Sequence, residues 1–203
     1  GVLPPTPLER QALDALPLDV DGALRGLGLD RLDAPAERGY YERLSCWPTF
    51  TINGLHGGYG GPGSKTVLPS TAIAKCDIRL VEAMRAADIF ERVKAHVARH
   101  APEVEVVYQG SMEPSKTPIE SIYTEPLRQG IVDAQGAEPL FVPALGGSLP
   151  DYVFTKILGI PAFTVPYANA DEANHAPNEN LELWRFIAGI KTGAAMLTRL
   201  GDL

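Results

Sequence analysis

The sequence predicts an α+β unit, with helices on one face of an antiparallel sheet, followed by a segment of α/β structure. Three observations carry that reading. From Thr71 to Val81, Ala72, Ala74, Cys76, Ile78 and Leu80 alternate with Lys75, Asp77 and Arg79, the period of a strand with one covered face and one open face. Residues 85–99 then place Ile89, Val93 and Val97 on one helical stripe. Beyond Gly110–Pro118, which holds two prolines and no periodicity, short apolar runs alternate with helical patterns. The domain boundary is therefore expected there, dividing the chain into 1–112 and 113–203.

At the N-terminal end, Thr6-Pro7-Leu8-Glu9 combines a capping box with proline in the first helical turn. Leu8, Ala12, Leu13 and Leu16 follow at helical spacing, and Pro17 stops the helix. Residues 22–46 read as loop with short helical pieces. Residues 47–56 read as a strand, with Phe50 and Ile52 alternating with Thr49 and Thr51. The glycine-rich Gly57–Gly63 is a turn between strands; it lacks the lysine-hydroxyl ending of a phosphate loop. Residues 103–109 read as a further strand.

In the second segment, a helix around 125–135 ends at Gly136, and another near 149–158 ends at Gly159. The runs Leu140–Val142 and Ala162–Val165 read as short buried strands. A last helix over 181–200 carries Leu183, Phe186, Ile187, Ile190, Ala194 and Leu197 on one face. Two or three strands make too small a sheet to stand alone, so this segment reads as the last part of a larger one. Gly1-Val2-Leu3-Pro4-Pro5 without an initiator methionine reads as the start of a fragment or processed product.

With 203 residues, 45% of them apolar, the chain is long enough to fold around a core. A net charge of −7 argues against nucleic acid as a partner. No apolar run reaches the roughly 20 residues that span a bilayer. Cys46 and Cys76 form no CxxC pair, which excludes a cysteine-based zinc site, and Cys76 reads as a small buried apolar residue. A soluble cytoplasmic protein is the expectation.

Of the four histidines, His175 stands out. It lies in the polar stretch 169–180, between an apolar run and a helix, where α/β folds place ligands and metals. Asn178 or Asn180 is expected to cap the coming helix. The turn Gly146-Gly147-Ser148 also follows an apolar run, and glycines there permit close backbone approach to an anion. Arg79, on the open face of its strand, has the planar fork that binds a carboxylate, unless Asp77 or solvent takes it. His96 and His100 lie four apart on one helix. With no adjoining glutamate and no third ligand they read as solvated positions.

Taken in order, Thr66-Val67-Leu68-Pro69, Asp77-Ile78-Arg79-Leu80, Gly146-Gly147-Ser148 and Asn174-His175-Ala176-Pro177-Asn178-Glu179 resemble metallopeptidase family 20 along nearly the whole chain. Its members include aminoacylases, carnosinases and cytosolic dipeptidases; the dipeptidases are most similar, sharing a threonine before Val-Leu-Pro. The resemblance implies that 1–112 is most of a lid, or dimerisation, domain and that 113–203 is the C-terminal part of an α/β zinc-peptidase catalytic domain. It implies that His175 ligates one of two zinc ions, and that Thr66, Arg79, Gly147 and Ser148 hold the substrate, a dipeptide or N-acyl amino acid. It further implies a homodimer formed through the lid.

The family's His-x-Asp motif, Glu-Glu pair and lid histidine are absent here, so no catalytic residue is assigned within this chain. Zinc needs three or four protein ligands or three plus water, so tight zinc binding and hydrolysis by this chain alone are not expected. Leu145 stands where the dipeptidases carry an acidic residue. The competing reading is a non-catalytic dimerisation or ligand-binding module.

Overall fold

The computed structural model describes residues 1–31 and 39–203. The described residues form two compact units whose sequences interleave. One is drawn from Gly1–Pro5, Asp33–Ser115 and Ala144–Tyr152; the other is drawn from Thr6–Leu32, Lys116–Pro143 and Val153–Leu203. The passage from Ser115 to Lys116 between them falls within the expected boundary segment Gly110–Pro118.

The first unit is built around a β-hairpin and a helix. After α3 (Tyr40–Cys46), β1 (Thr49–Gly57) pairs antiparallel with β2 (Ala72–Arg79), running from Thr49 opposite Arg79 to Gly57 opposite Ala72. The register slips between Ile52 and Gly54, so Asn53 is the extra residue of a bulge. The Asn53 amide turns to donate to Asp77 Oδ1 at 3.0 Å. The glycine-rich turn after β1 is as expected, with Gly58 and Gly63 at positive φ.

The covered face expected for β2 is not found within this unit. Phe50, opposite Ile78, is more than half exposed, and Ala72, Ala74 and Cys76 are exposed rather than buried. The alternation is present, but the described residues contribute only two strands, too few to close a sheet. Residues 103–109, expected as a further strand, form none: the segment pairs with neither β1 nor β2. Aromatic packing holds it instead, with the Tyr108 ring 4.9 Å from that of Phe90 on α4 (Ala86–His100). Arg85, which precedes α4, makes no capping bond, and the Glu113 carboxylate accepts from the Ala86 N–H at 3.2 Å in its place.

In the second unit, α1 (Pro7–Asp14) begins with the expected capping box. Thr6 Oγ accepts from Glu9 N at 3.2 Å, and Glu9 Oε2 accepts from Thr6 N at 2.9 Å. The same glutamate is only 3% exposed and meets Lys116 Nζ at 2.6 Å, so one carboxylate both caps the helix and ties it to the boundary segment. Of the region 22–46, α2 (Val20–Leu27) starts with Asp19 capping Gly22 and stops at left-handed Gly28; residues 32–38 lie outside the described residues.

The two longest helices of this unit pack on each other. These are α5 (Thr124–Gln135), ended by left-handed Gly136 as expected, and α6 (Leu183–Gly201). A Cβ at Gly130 would come within 2.7 Å of the Met196 Cα, so the glycine sets how closely the backbones approach. Gln135 Nε2 donates to Thr192 Oγ1 at 2.6 Å, and Arg199 pairs with Asp133 at 2.6 Å. Thr192, 1% exposed, donates its own hydroxyl back to Ala188 O at 2.9 Å.

Three expectations for this segment are corrected. The helix near 149–158 is a π-helical turn confined to Val153–Leu158. The runs Leu140–Val142 and Ala162–Val165 join no described sheet, and Leu140 and Val142 are over half exposed. The Ala162 backbone is satisfied by a side chain: Thr117 Oγ1 donates to its carbonyl at 2.8 Å and accepts from its N–H at 3.0 Å. The outward face of α6, with Leu183, Phe186, Ile190 and Leu197 each over half exposed, is apolar without a cover in this unit.

Candidate functional site

Two sets of the expected site residues are organised, each inside its own unit. In the first, Arg79 closes β2 and its Nη1 donates to Ser148 Oγ at 3.2 Å across 69 residues of sequence. The strand aims the guanidinium, because alternation puts Arg79 on the same side as Asp77 and Lys75. Asp77 does not compete for it, since its carboxylate is taken by Asn53. Arg79 and Ser148 are both exposed, which leaves the other guanidinium donors and the turn's backbone open to an incoming group.

The turn that presents Ser148 is fitted onto α3. A Cβ on Gly146 would fall 2.6 Å from Leu44 Cδ1 and 3.0 Å from the Leu44 carbonyl oxygen, so only glycine permits that approach. Gly147 is exposed and Leu145 is 61% exposed. Thr66 is exposed in the connection between β1 and β2, beside a tight turn in which Val67 N donates to Lys65 O at 3.0 Å.

In the second unit, His175 is exposed in the loop between Tyr167 and α6. The loop is held in an unusual backbone path, with Ala173, His175 and Asn178 at φ of 56°, 59° and 67°. Left-handed φ in residues other than glycine costs free energy and persists only where the surroundings enforce it.

The enforcing group is Asn169, which sequence reasoning missed. It is 5% exposed, and its amide nitrogen donates to Asp171 Oδ1 at 2.8 Å and to Asn180 Oδ1 at 3.0 Å. Its amide oxygen accepts from Glu182 N at 3.2 Å, which is the capping bond at the start of α6. The expected caps Asn178 and Asn180 do not perform that task. Glu182 is the cap residue and makes no side-chain bond, while Asn180 turns back to the Asp171, Glu172 and Asn178 carbonyls. The only sequence signal for Asn169 was a polar residue directly after an apolar run.

Just upstream, the Tyr167 ring fills the space a side chain at Gly189 would need, within 2.8 Å of a built Cβ, and so fixes the chain on α6 before the loop begins. The Asn169 hydrogen bond and the Arg185 charge hold the Asp171 carboxyl below the usual carboxylate range.

Among the described residues no three His, Cys, Asp or Glu side chains converge to hold a metal. The donor chemistry at His175, an exposed imidazole on a held loop, fits one position of a zinc ion and not a whole coordination sphere. No described helix is long and apolar enough to cross a membrane.

The chain is similar in sequence and fold to metal-dependent peptidases. Residues 12–105 match the peptidase dimerisation domain of metallopeptidase family 20. The chain is 25% identical to human Beta-Ala-His dipeptidase, covering 100% of this chain and 41% of that protein. It is 26% identical to the Cys-Gly metallodipeptidase of Schizosaccharomyces pombe, covering 92% and 40%. In structure it resembles a family 20 metallo-carboxypeptidase from Sulfolobus solfataricus, with a TM-score of 0.91 at 28% identity over 100% of this chain and 47% of that one. Human carnosine dipeptidase 1 shares the fold, with a TM-score of 0.78 at 24% identity over 100% of this chain and 44% of the other. The chain is thus similar to metallopeptidase family 20 proteins along its length, with that family's dimerisation domain matched over residues 12–105, and it spans under half the length of the relatives it matches.

Proposed function

We propose that this chain is part of a zinc-dependent peptidase or amidohydrolase that cleaves dipeptides or N-acyl amino acids. The observation that carries the reading is the Arg79–Ser148 hydrogen bond, which joins two residues expected from sequence to grip one substrate. A carboxylate arriving there replaces the serine as acceptor for the guanidinium and gains the Ser148 hydroxyl and the Gly147 N–H as further donors. Thr66 contributes a hydroxyl to the same task. Fixing the carboxylate end positions the scissile amide, and small misplacements cost large rate factors.

His175 is one metal ligand, its imidazole presented by the loop that Asn169 holds. A bound zinc ion supplies a water of lowered pKa. The remaining ligands and the general base come from residues outside this sequence. The assignment of 1–112 to a lid and 113–203 to a catalytic segment is part of this reading, as are a homodimer formed through the lid and a cytoplasmic location.

The reading is tested in the intact protein loaded with zinc. Wild type should hydrolyse dipeptides or N-acyl amino acids, and His175→Ala should lower bound zinc and remove most activity without unfolding the chain. A correctly folded intact protein that cleaves neither substrate class with zinc, manganese or cobalt overturns it. A second reading, a dimerisation module without catalysis, is favoured by residues 12–105 matching the model of a dimerisation domain. It would be identified by that same inactive protein sedimenting as a dimer.

A further inference from the structure

The histidines at the end of α4 are exposed, as expected, but their rings lie side by side. The His96 and His100 rings lie with their centroids 4.5 Å apart and their planes 39° to each other, and both residues are exposed. From this geometry we infer that they form a two-histidine chelate for a divalent first-row transition ion, Cu²⁺ or Ni²⁺ more strongly than Zn²⁺. Residues four apart on a helix lie on one face. Metal–imidazole bonds of about 2.0–2.1 Å put two ligating nitrogens about 3 Å apart, which rings already at this separation reach by side-chain rotation alone.

Imidazole is the ligand type these ions prefer, and the order of affinity follows the general series for divalent metals. The position adds a second favourable element. His100 is the last residue of α4, and a positive ion there faces the partial negative charge of the helix C-terminus. No third protein ligand converges among the described residues, so water completes the sphere and the site is weaker than a closed structural zinc site. Arg92, one turn earlier, and Arg99, beside His100, weaken it further by charge.

The purified chain is titrated with NiCl₂ and with CuCl₂ by calorimetry, alongside His96→Gln, His100→Gln, the double variant and His175→Gln. Circular dichroism checks that α4 is retained in each. Wild type should bind one ion at this site. Each single glutamine variant should weaken binding by about tenfold or more, and the double variant should do little worse than either single one. The paramagnetic resonance spectrum of bound Cu²⁺ should show coupling to two imidazole nitrogens in wild type and to one in each single variant. His175→Gln should leave this site unchanged, which keeps the inference separate from the proposed peptidase site. Full affinity in either His96→Gln or His100→Gln, loss of the site in His175→Gln, or no uptake of either ion at millimolar concentration overturns it.

Discussion

Arg79 Nη1 donates to Ser148 Oγ at 3.2 Å, so the end of β2 and the turn after Gly147 present one polar surface. The planar guanidinium can exchange the serine for a carboxylate and donate two parallel hydrogen bonds to it, which an ammonium group does with less geometric control. In the intact protein, Arg79→Lys should lower kcat/KM for carboxylate-bearing substrates by about tenfold to a hundredfold, from a charged hydrogen bond of about 1.5–3 kcal/mol. Steady-state kinetics on a dipeptide and its C-terminal amide checks this: the loss should be confined to the free acid.

Asn169 organises the His175 loop through three bonds from one buried amide. Asn169→Leu removes them and leaves the Glu182 N–H without its acceptor. A destabilisation of about 1–3 kcal/mol is expected from the unsatisfied buried groups. Hydrogen exchange should report faster exchange at Glu182 and Asn180, with α5 amides changed only by the global loss of stability.

Glu9 makes the second unit acid-sensitive. Burial raises its carboxyl pKa, but the Lys116 hydrogen bond and the bonds with Thr6 outweigh burial, and the net pKa lies below the usual carboxylate range. A depressed folded pKa means the contribution is present above the unfolded pKa, about 4.3, and is lost as pH falls through the folded value. The stability difference between wild type and Glu9→Gln should therefore be constant near neutrality and shrink below about pH 4.3. Lys116→Met removes the ammonium while leaving the Thr6 bonds to the carboxylate, and should cost about 1.5–3 kcal/mol near neutral pH, read by urea denaturation.

Gly130 and Gly193 give opposite signs for the same substitution. Gly→Ala inside a helix ordinarily stabilises by about 0.5–1 kcal/mol. Gly193 has open space around a built Cβ and should follow that rule. Gly130→Ala would drive a methyl to 2.7 Å from the Met196 Cα, and backbone cannot swing aside. It should destabilise by about 1–3 kcal/mol. Thermal melts of the two variants check the contrast.

What the sequence determined by itself is local. The α1 capping box, the left-handed stop at Gly136, the alternation that pairs β1 with β2, and the stripe of α6 follow from neighbours a few residues apart. The site residues were visible only as types: an arginine on a polar strand face, a glycine-serine turn, a histidine in a polar loop. That Arg79 meets Ser148, that Lys116 meets Glu9 and that Thr117 replaces a strand partner for Ala162 was decided by tertiary structure. Such contacts join residues tens of positions apart, and no local period encodes them.

The errors have the same cause. Residues 103–109, 140–142 and 162–165 have strand-like composition, but a strand exists only where another backbone supplies its hydrogen bonds. Asn178 and Asn180 have the right chemistry and place in sequence to cap α6. The bond went to Asn169 because its buried amide, held by bonds to Asp171 and Asn180, reaches the Glu182 N–H at 3.2 Å.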